Sequence, residues 1–226
     1  SAALPQSLAL TIRNATASEP AGISNEGFWG IPIRPNTVYQ GSFYANAADP
    51  TIGPITVSVI NDDTAKVLAS TTVPTLPSGW HQYPFTLHSG TGTPSANNRL
   101  VLTAGKPGKL WFSLVSLFPP TYHDRANGNR IDIMEMLAAM HPAFLRFPGG
   151  NYLEGDQINE RFQWDKTIGP LVDRPTHRSP WNYPSSDGMG LLEFLEWCED
   201  LKMEPRTHSV PSMGVPSRPR KTISNR

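Results

Sequence analysis

Apolar and polar residues alternate with a period of two through the first half of the chain. Ile55, Val57 and Val59 are separated by Thr56 and Ser58; Tyr83, Phe85 and Leu87 repeat the pattern, and so do Leu110, Phe112 and Leu114. A strand sends successive side chains to opposite faces, so each run predicts a half-buried strand with one apolar face. Between the runs lie Asp49-Pro50, Asn61-Asp62-Asp63, Pro77-Ser78-Gly79 and Ser89-Gly90-Thr91-Gly92. These residues fix or free φ and bond their own backbone, so the chain turns there. Short strands at this spacing over residues 1–118 predict a mainly antiparallel β-sandwich.

After Pro119-Pro120 the period changes. Ile131, Met134 and Leu137-Ala138 mark one face of a helix that His141-Pro142 ends. Ala143 to Phe147 reads as a short buried strand broken by Pro148-Gly149-Gly150, and a loop rich in Asp, Arg, Trp and Pro follows. Asp187 is placed to cap the next helix, in which Leu191, Leu195 and Cys198 share a face with Leu192 and Leu201. Helix, strand, long loop, helix is the order of a β/α fold, assigned to residues 119–205. Residues 206–226 hold five Lys/Arg, three Pro and four Ser, with no acidic or aromatic residue. No apolar period survives there, which predicts a disordered or aberrant basic tail; a basic arm for an anionic partner is the other reading.

Charge and composition narrow the function. Nineteen Lys/Arg balance nineteen Asp/Glu in 226 residues, so no overall field draws the chain to nucleic acid or to an anionic membrane. No apolar run approaches the roughly 20 residues that span a bilayer. The single cysteine, Cys198, rules out an internal disulfide or a cysteine metal cluster, and the six histidines lack metal-ligand spacing. The sequon Asn14-Ala15-Thr16 and the absence of a leader at Ser1 fit a secreted protein whose leader has been removed, or a segment beginning inside a longer chain.

Candidate chemistry concentrates in Arg146-Phe147-Pro148-Gly149-Gly150-Asn151-Tyr152-Leu153-Glu154. This run follows a predicted strand, where β/α enzymes build their sites. Glycine lets a ligand approach the backbone, and the Asn151 amide offers both donors and acceptors, which a sugar hydroxyl needs. A tight turn with a self-satisfied Asn fits the same spacing. The loop adds Trp164, Asp165, Asp173, Arg174, Trp181 and Tyr183. Tryptophan faces bind sugar C–H faces, although each Trp equally suits a core, and Asp173-Arg174 equally suits a local ion pair. Asn25-Glu26 and Asn159-Glu160 have the composition of a general-acid pair, but neither has a partner in view, and Asn159-Glu160 reads as solvated surface. No phosphate loop, nucleophile elbow or dinucleotide fingerprint is present.

These residues resemble a known family. Asn25-Glu26-Gly27-Phe28-Trp29-Gly30-Ile31-Pro32, Ser116-Leu117-Phe118-Pro119-Pro120-Thr121-Tyr122, Phe144 through Gly155, Thr167 through Pro175, Asp187-Gly188-Met189-Gly190 and Glu196-Trp197-Cys198-Glu199-Asp200 are similar, in order, to fungal-type α-L-arabinofuranosidases of glycoside hydrolase family 51. The resemblance covers about residues 1–205. It implies a carbohydrate-binding-like β-sandwich followed by an incomplete part of a (β/α)₈ TIM barrel, the chain being truncated at both ends. It also implies retaining release of terminal arabinofuranose from arabinoxylan or arabinan, with no cofactor and no metal. Asn151 and Trp181 become arabinose-binding residues, with Arg146 and Glu154 belonging to the same motif. The acid/base and nucleophile glutamates of the family lie beyond Pro205 in its pattern, so none is expected here and the chain is expected to be inactive. The sequence from Arg206 departs from the family, as a frame slip or retained intron would cause. Two other readings stay open, a stand-alone carbohydrate-binding module and a non-functional gene product.

Overall fold

The structure is a computed structural model that describes residues 1–207. Eight strands come first: β1 (Leu8–Ile12), β2 (Ala21–Asn25), β3 (Val38–Ala47), β4 (Ile55–Asn61), β5 (Val67–Val73), β6 (His81–His88), β7 (Asn98–Ala104) and β8 (Gly108–Phe118). They form two four-stranded antiparallel sheets, ordered β1-β8-β3-β6 and β2-β7-β4-β5. The inward residues of both sheets meet in one apolar core that includes Phe43, Val57, Leu87, Leu100 and Phe112. This is the expected sandwich, and the alternation causes it: Ile55, Val57 and Val59 are all at most 1% exposed, and the ladder leaves their backbone polar groups paired.

One alternation fails. Leu110 and Phe112 are buried, but Leu114 has φ 48°. At that point Ser42 pairs with Ser116 while Tyr44 pairs with Ser113, so β8 carries one extra residue. This is a bulge, and it reverses which face the following side chains meet. Leu117, not Leu114, packs against the core beyond it.

Chain contacts divide the molecule into Ser1–Ala139 and the residues from Met140 onward. Helix α1 (Ile131–Ala139) therefore groups with the sandwich, burying Met134, and Asp132 of α1 binds Arg130 and Arg34 at the surface. The second unit contains β9 (Phe144–Phe147), the one-turn helix α2 (Asn151–Glu154), a short hairpin of β10 (His177–Arg178) and β11 (Pro184–Ser185), α3 (Leu191–Leu201) and β12 (Glu204–Thr207). β12 runs parallel to β9, pairing Glu204 with Phe144 and Thr207 with Phe147. Parallel neighbours require a crossover, and α3 lies in it.

The α3 register differs from expectation. Leu192 and Leu195 are 49% and 39% exposed, whereas Leu191, Phe194, Trp197 and Leu201 pack with buried Cys198, Phe147 and Met203. The helix turns its aromatic stripe inward because the Phe194 ring stacks on Phe147 at 4.5 Å. The tail expected from Arg206 also needs correction at its start. Arg206 and Thr207 complete β12, held by the ladder to β9, and the Arg206 guanidinium lies 5.8 Å over the Phe144 ring. The rest of that expectation lies outside the described residues.

Candidate sugar-binding site

β9 ends at Phe147, and two glycines turn the chain from it. Gly149 and Gly150 have φ 70° and 58°, a region that side chains disfavour. The turn delivers Asn151 and Glu154 to the first and last positions of α2, both exposed. Gly155 is needed next: with φ 65°, a Cβ there would lie 2.7 Å from the Glu160 carbonyl carbon. The chain can thus fold back, and the Phe162 amide donates to the Leu153 carbonyl at 3.2 Å.

The β10–β11 hairpin carries Trp181 and Tyr183 to the same place. The Trp181 ring stacks on Tyr152 with centroids 6.1 Å apart and planes 14° off parallel, and Tyr183 stacks on Trp181 at 6.3 Å and 22°. Trp181 and Tyr183 are 52% and 57% exposed. The stack offers ring surface for the C–H faces of a sugar, and the exposed amide of Asn151, next in sequence to Tyr152, is a group that can hold sugar hydroxyls.

Beneath the rings lies a polar cluster that the sequence did not announce. The Tyr152 hydroxyl donates to Asp187 Oδ1 at 3.1 Å and hydrogen-bonds Ser185 Oγ. His177 Nδ1 meets Asp187 Oδ2 at 2.9 Å, and His177 Nε2 is buried without a partner among the described residues. Burial pushes the Tyr152 hydroxyl up to about 12, with the Asp187 charge adding to the effect. Asp187 is therefore no helix cap. Gly190 occupies that position, and its amide donates to Glu193 Oε2 at 2.8 Å.

Arg174 also departs from expectation. It does not pair with the neighbouring Asp173 but reaches Glu193, with Nη2 to Oε1 at 2.7 Å and Nη1 to Oε2 at 3.0 Å, both side chains under a tenth exposed. Nε donates to the Gly169 carbonyl at 2.9 Å and Nη1 to the Asp187 carbonyl at 3.1 Å. The fork shape of guanidinium suits this bidentate arrangement, which ties both ends of the loop to α3. A lone Arg in a loop gives no sequence sign of a partner 19 positions away.

Of the four residues assigned to the site, Trp181 is brought against Tyr152, next in sequence to Asn151. Arg146 lies exposed on β9 beside the glycine turn, where a Cβ on Gly149 would come 3.4 Å from its Nη1. Among the described residues, no side-chain hydrogen bond involves Arg146, Asn151 or Glu154, and no ring contact or hydrogen bond joins Trp181 to Arg146 or Glu154. These residues also hold no cluster of His, Cys, Asp and Glu suited to a metal.

Comparison with known proteins decides the family. The α-L-arabinofuranosidase 1 domain model matches residues 136–211, the region of this site. A probable α-L-arabinofuranosidase A of Aspergillus terreus is 38% identical over 209 residues, 90% of this chain and 33% of that protein. The α-L-arabinofuranosidase A of Aspergillus niger is 35% identical, covering 94% of this chain and 33% of its own length. The arabinose-bound structure of the α-L-arabinofuranosidase MgGH51 superposes with a TM-score of 0.83 at 38% identity, over 93% of this chain and 35% of that one. The chain belongs to the α-L-arabinofuranosidase family. It spans about a third of the length of these relatives. The arabinofuranosidase domain match runs on past Arg206 to Pro211, so the family pattern does not stop at Pro205.

Proposed function

We propose that this chain carries the arabinose-binding side of an α-L-arabinofuranosidase that releases terminal α-L-arabinofuranose from arabinoxylan or arabinan with retention of configuration, outside the cell. In this reading β9, α3 and β12 form part of a (β/α)₈ barrel, whose sites lie at the C-terminal ends of its strands. The supporting observation is the Tyr152–Trp181–Tyr183 stack, whose Tyr152 follows Asn151 directly in the turn after a parallel strand. Asn151 holds furanose hydroxyls, Trp181 meets the sugar ring, and Arg146 and Glu154 flank the turn.

The 226-residue chain alone is proposed to be inactive. A retaining glycosidase needs two carboxyl groups about 5–5.5 Å apart. The two buried carboxylates of the second unit are already committed, Glu193 of α3 to Arg174 and Asp187 of the loop to Tyr152 and His177. Glu154, Asp156 and Asp173 are exposed. Purified chain incubated with p-nitrophenyl α-L-arabinofuranoside should release nitrophenol at the background rate. In a full-length relative, Asn151→Ala at the matching position should lower kcat/KM by about 1–3 kcal/mol of transition-state binding. Turnover that co-elutes with the chain and disappears on Glu154→Gln or Glu160→Gln would overturn the inactivity, and unchanged kcat/KM in the relative would overturn the role of Asn151.

A further inference from the structure

The aromatic residues of the eight sandwich strands all fall in one sheet. β2, β4, β5 and β7 contain none, and their outer side carries side chains such as Thr56, Ser70 and Thr72. The β1-β8-β3-β6 sheet sends Phe43, Phe85 and Phe112 inward, but it also turns aromatic and amide side chains outward. Trp111, Asn46, Tyr44, Gln82, Ser42 and Gln40 lie on this outer side. Trp111 stands opposite Asn46 and Tyr44 opposite Gln82 in the strand register. The row from Gln40 to Asn46 on β3 extends about 20 Å at the usual strand rise.

These groups are linked but not saturated. Tyr44 Oη donates to Gln82 Oε1 at 3.3 Å, and Gln82 Nε2 donates to Ser42 Oγ at 3.3 Å. Asn46 Oδ1 accepts from the Gly79 amide at 3.1 Å, which fixes the side chain while its amino group donates to nothing among the described residues. Lys109 Nζ sits 4.9 Å over the Trp111 ring. The four strands contain no Asp or Glu and one Lys. Such a face offers aromatic surface, amide donors and hydroxyls in a line, with almost no charge.

We propose that the outer face of the β1-β8-β3-β6 sheet is a second binding surface, separate from the Asn151 loop, for an uncharged polysaccharide chain. The absence of carboxylates and the single cation match a ligand without charge. Trp111 and Tyr44 supply the stacking surfaces, while Gln82, Asn46 and Gln40 supply hydroxyl-binding amides. The face is long enough for several sugar residues, whereas the loop site is proposed to take one terminal sugar.

Native gel electrophoresis of the full chain through gels containing soluble arabinoxylan, arabinan or polygalacturonate tests this. The expected result is retardation by a neutral polymer and not by polygalacturonate. Trp111→Ala and Tyr44→Ala should each weaken apparent affinity by about two- to tenfold, while Trp181→Ala leaves retardation in place. Far-UV spectra check that the variants fold, and Gln82→Ala, which removes no core atom, serves if Trp111→Ala does not. Free migration of the wild type in both neutral gels would overturn the proposal. So would retardation that survives every sheet-face variant, retardation lost on Trp181→Ala, or equal retardation by polygalacturonate.

Discussion

Twenty buried side chains, none of them charged, fill the core of the sandwich, whereas Phe147, Cys198 and Met203 are the fully buried members of the apolar cluster in the second unit. The second unit buries Arg174, Asp187 and Glu193 instead. An apolar core is non-directional and spreads its stabilisation over many contacts, so the loss of one is felt in proportion. A buried polar network is directional, and removing one member strands the others without water. The sandwich is thus a scaffold built by area, and the site loop is a shape held by a few bonds.

That contrast can be broken most directly at Glu193. Glu193→Ala would leave Arg174 buried and unpaired, at an expected cost of about 3–5 kcal/mol. Limited proteolysis should then cut the loop between Gly169 and Gly190 while the sandwich resists. Equal loss of protection in both units would mean that the network does not act locally.

A smaller effect is expected at Tyr152. Tyr152→Phe keeps the ring stack but removes the hydroxyl that Asp187 accepts, at about 1.5–3 kcal/mol for a bond to a charged group. The same variant tests the titration. With the folded value at about 12 against an ordinary 10, the stabilisation is complete below pH 10. It falls as the pH rises towards 12, because the unfolded chain loses its proton first. Denaturant melts from pH 9 to 12 should show a shallower alkaline loss in Tyr152→Phe than in the wild type; parallel curves would refute the assignment.

The smallest effect should come from the same chemistry at the surface. Asp132 binds Arg130 and Arg34 at 2.6 and 3.0 Å, but those arginine side chains are 49% and 64% exposed. Asp132→Asn should cost less than about 1 kcal/mol. A loss matching that of Glu193→Ala would show that burial does not separate the two cases.

How much the sequence disclosed follows the same division. Ile55–Val59 and Tyr83–Leu87 announced their strands because a half-buried strand must repeat every two residues. Leu114 misled because a bulge inserts a residue without any change of composition. In the second unit the Arg146–Glu154 run marked the turn through its glycines, and the strand ending at Phe147 was visible. The partners of Arg174 and Asp187 were not. Polar residues in a loop show their chemistry in sequence but not the direction in which they point, and that direction is set by contacts 10 to 35 positions away.

Cys198 gives this division a practical use. It is the only thiol in the chain, it lies buried in α3 against Phe147 and Met203, and burial pushes its ionisation upward. An alkylating reagent can reach it only when the second unit opens, and the sandwich has no sulfhydryl to compete. The rate of thiol modification is therefore a built-in clock for the breathing of one half of the molecule, read with no label attached to the other.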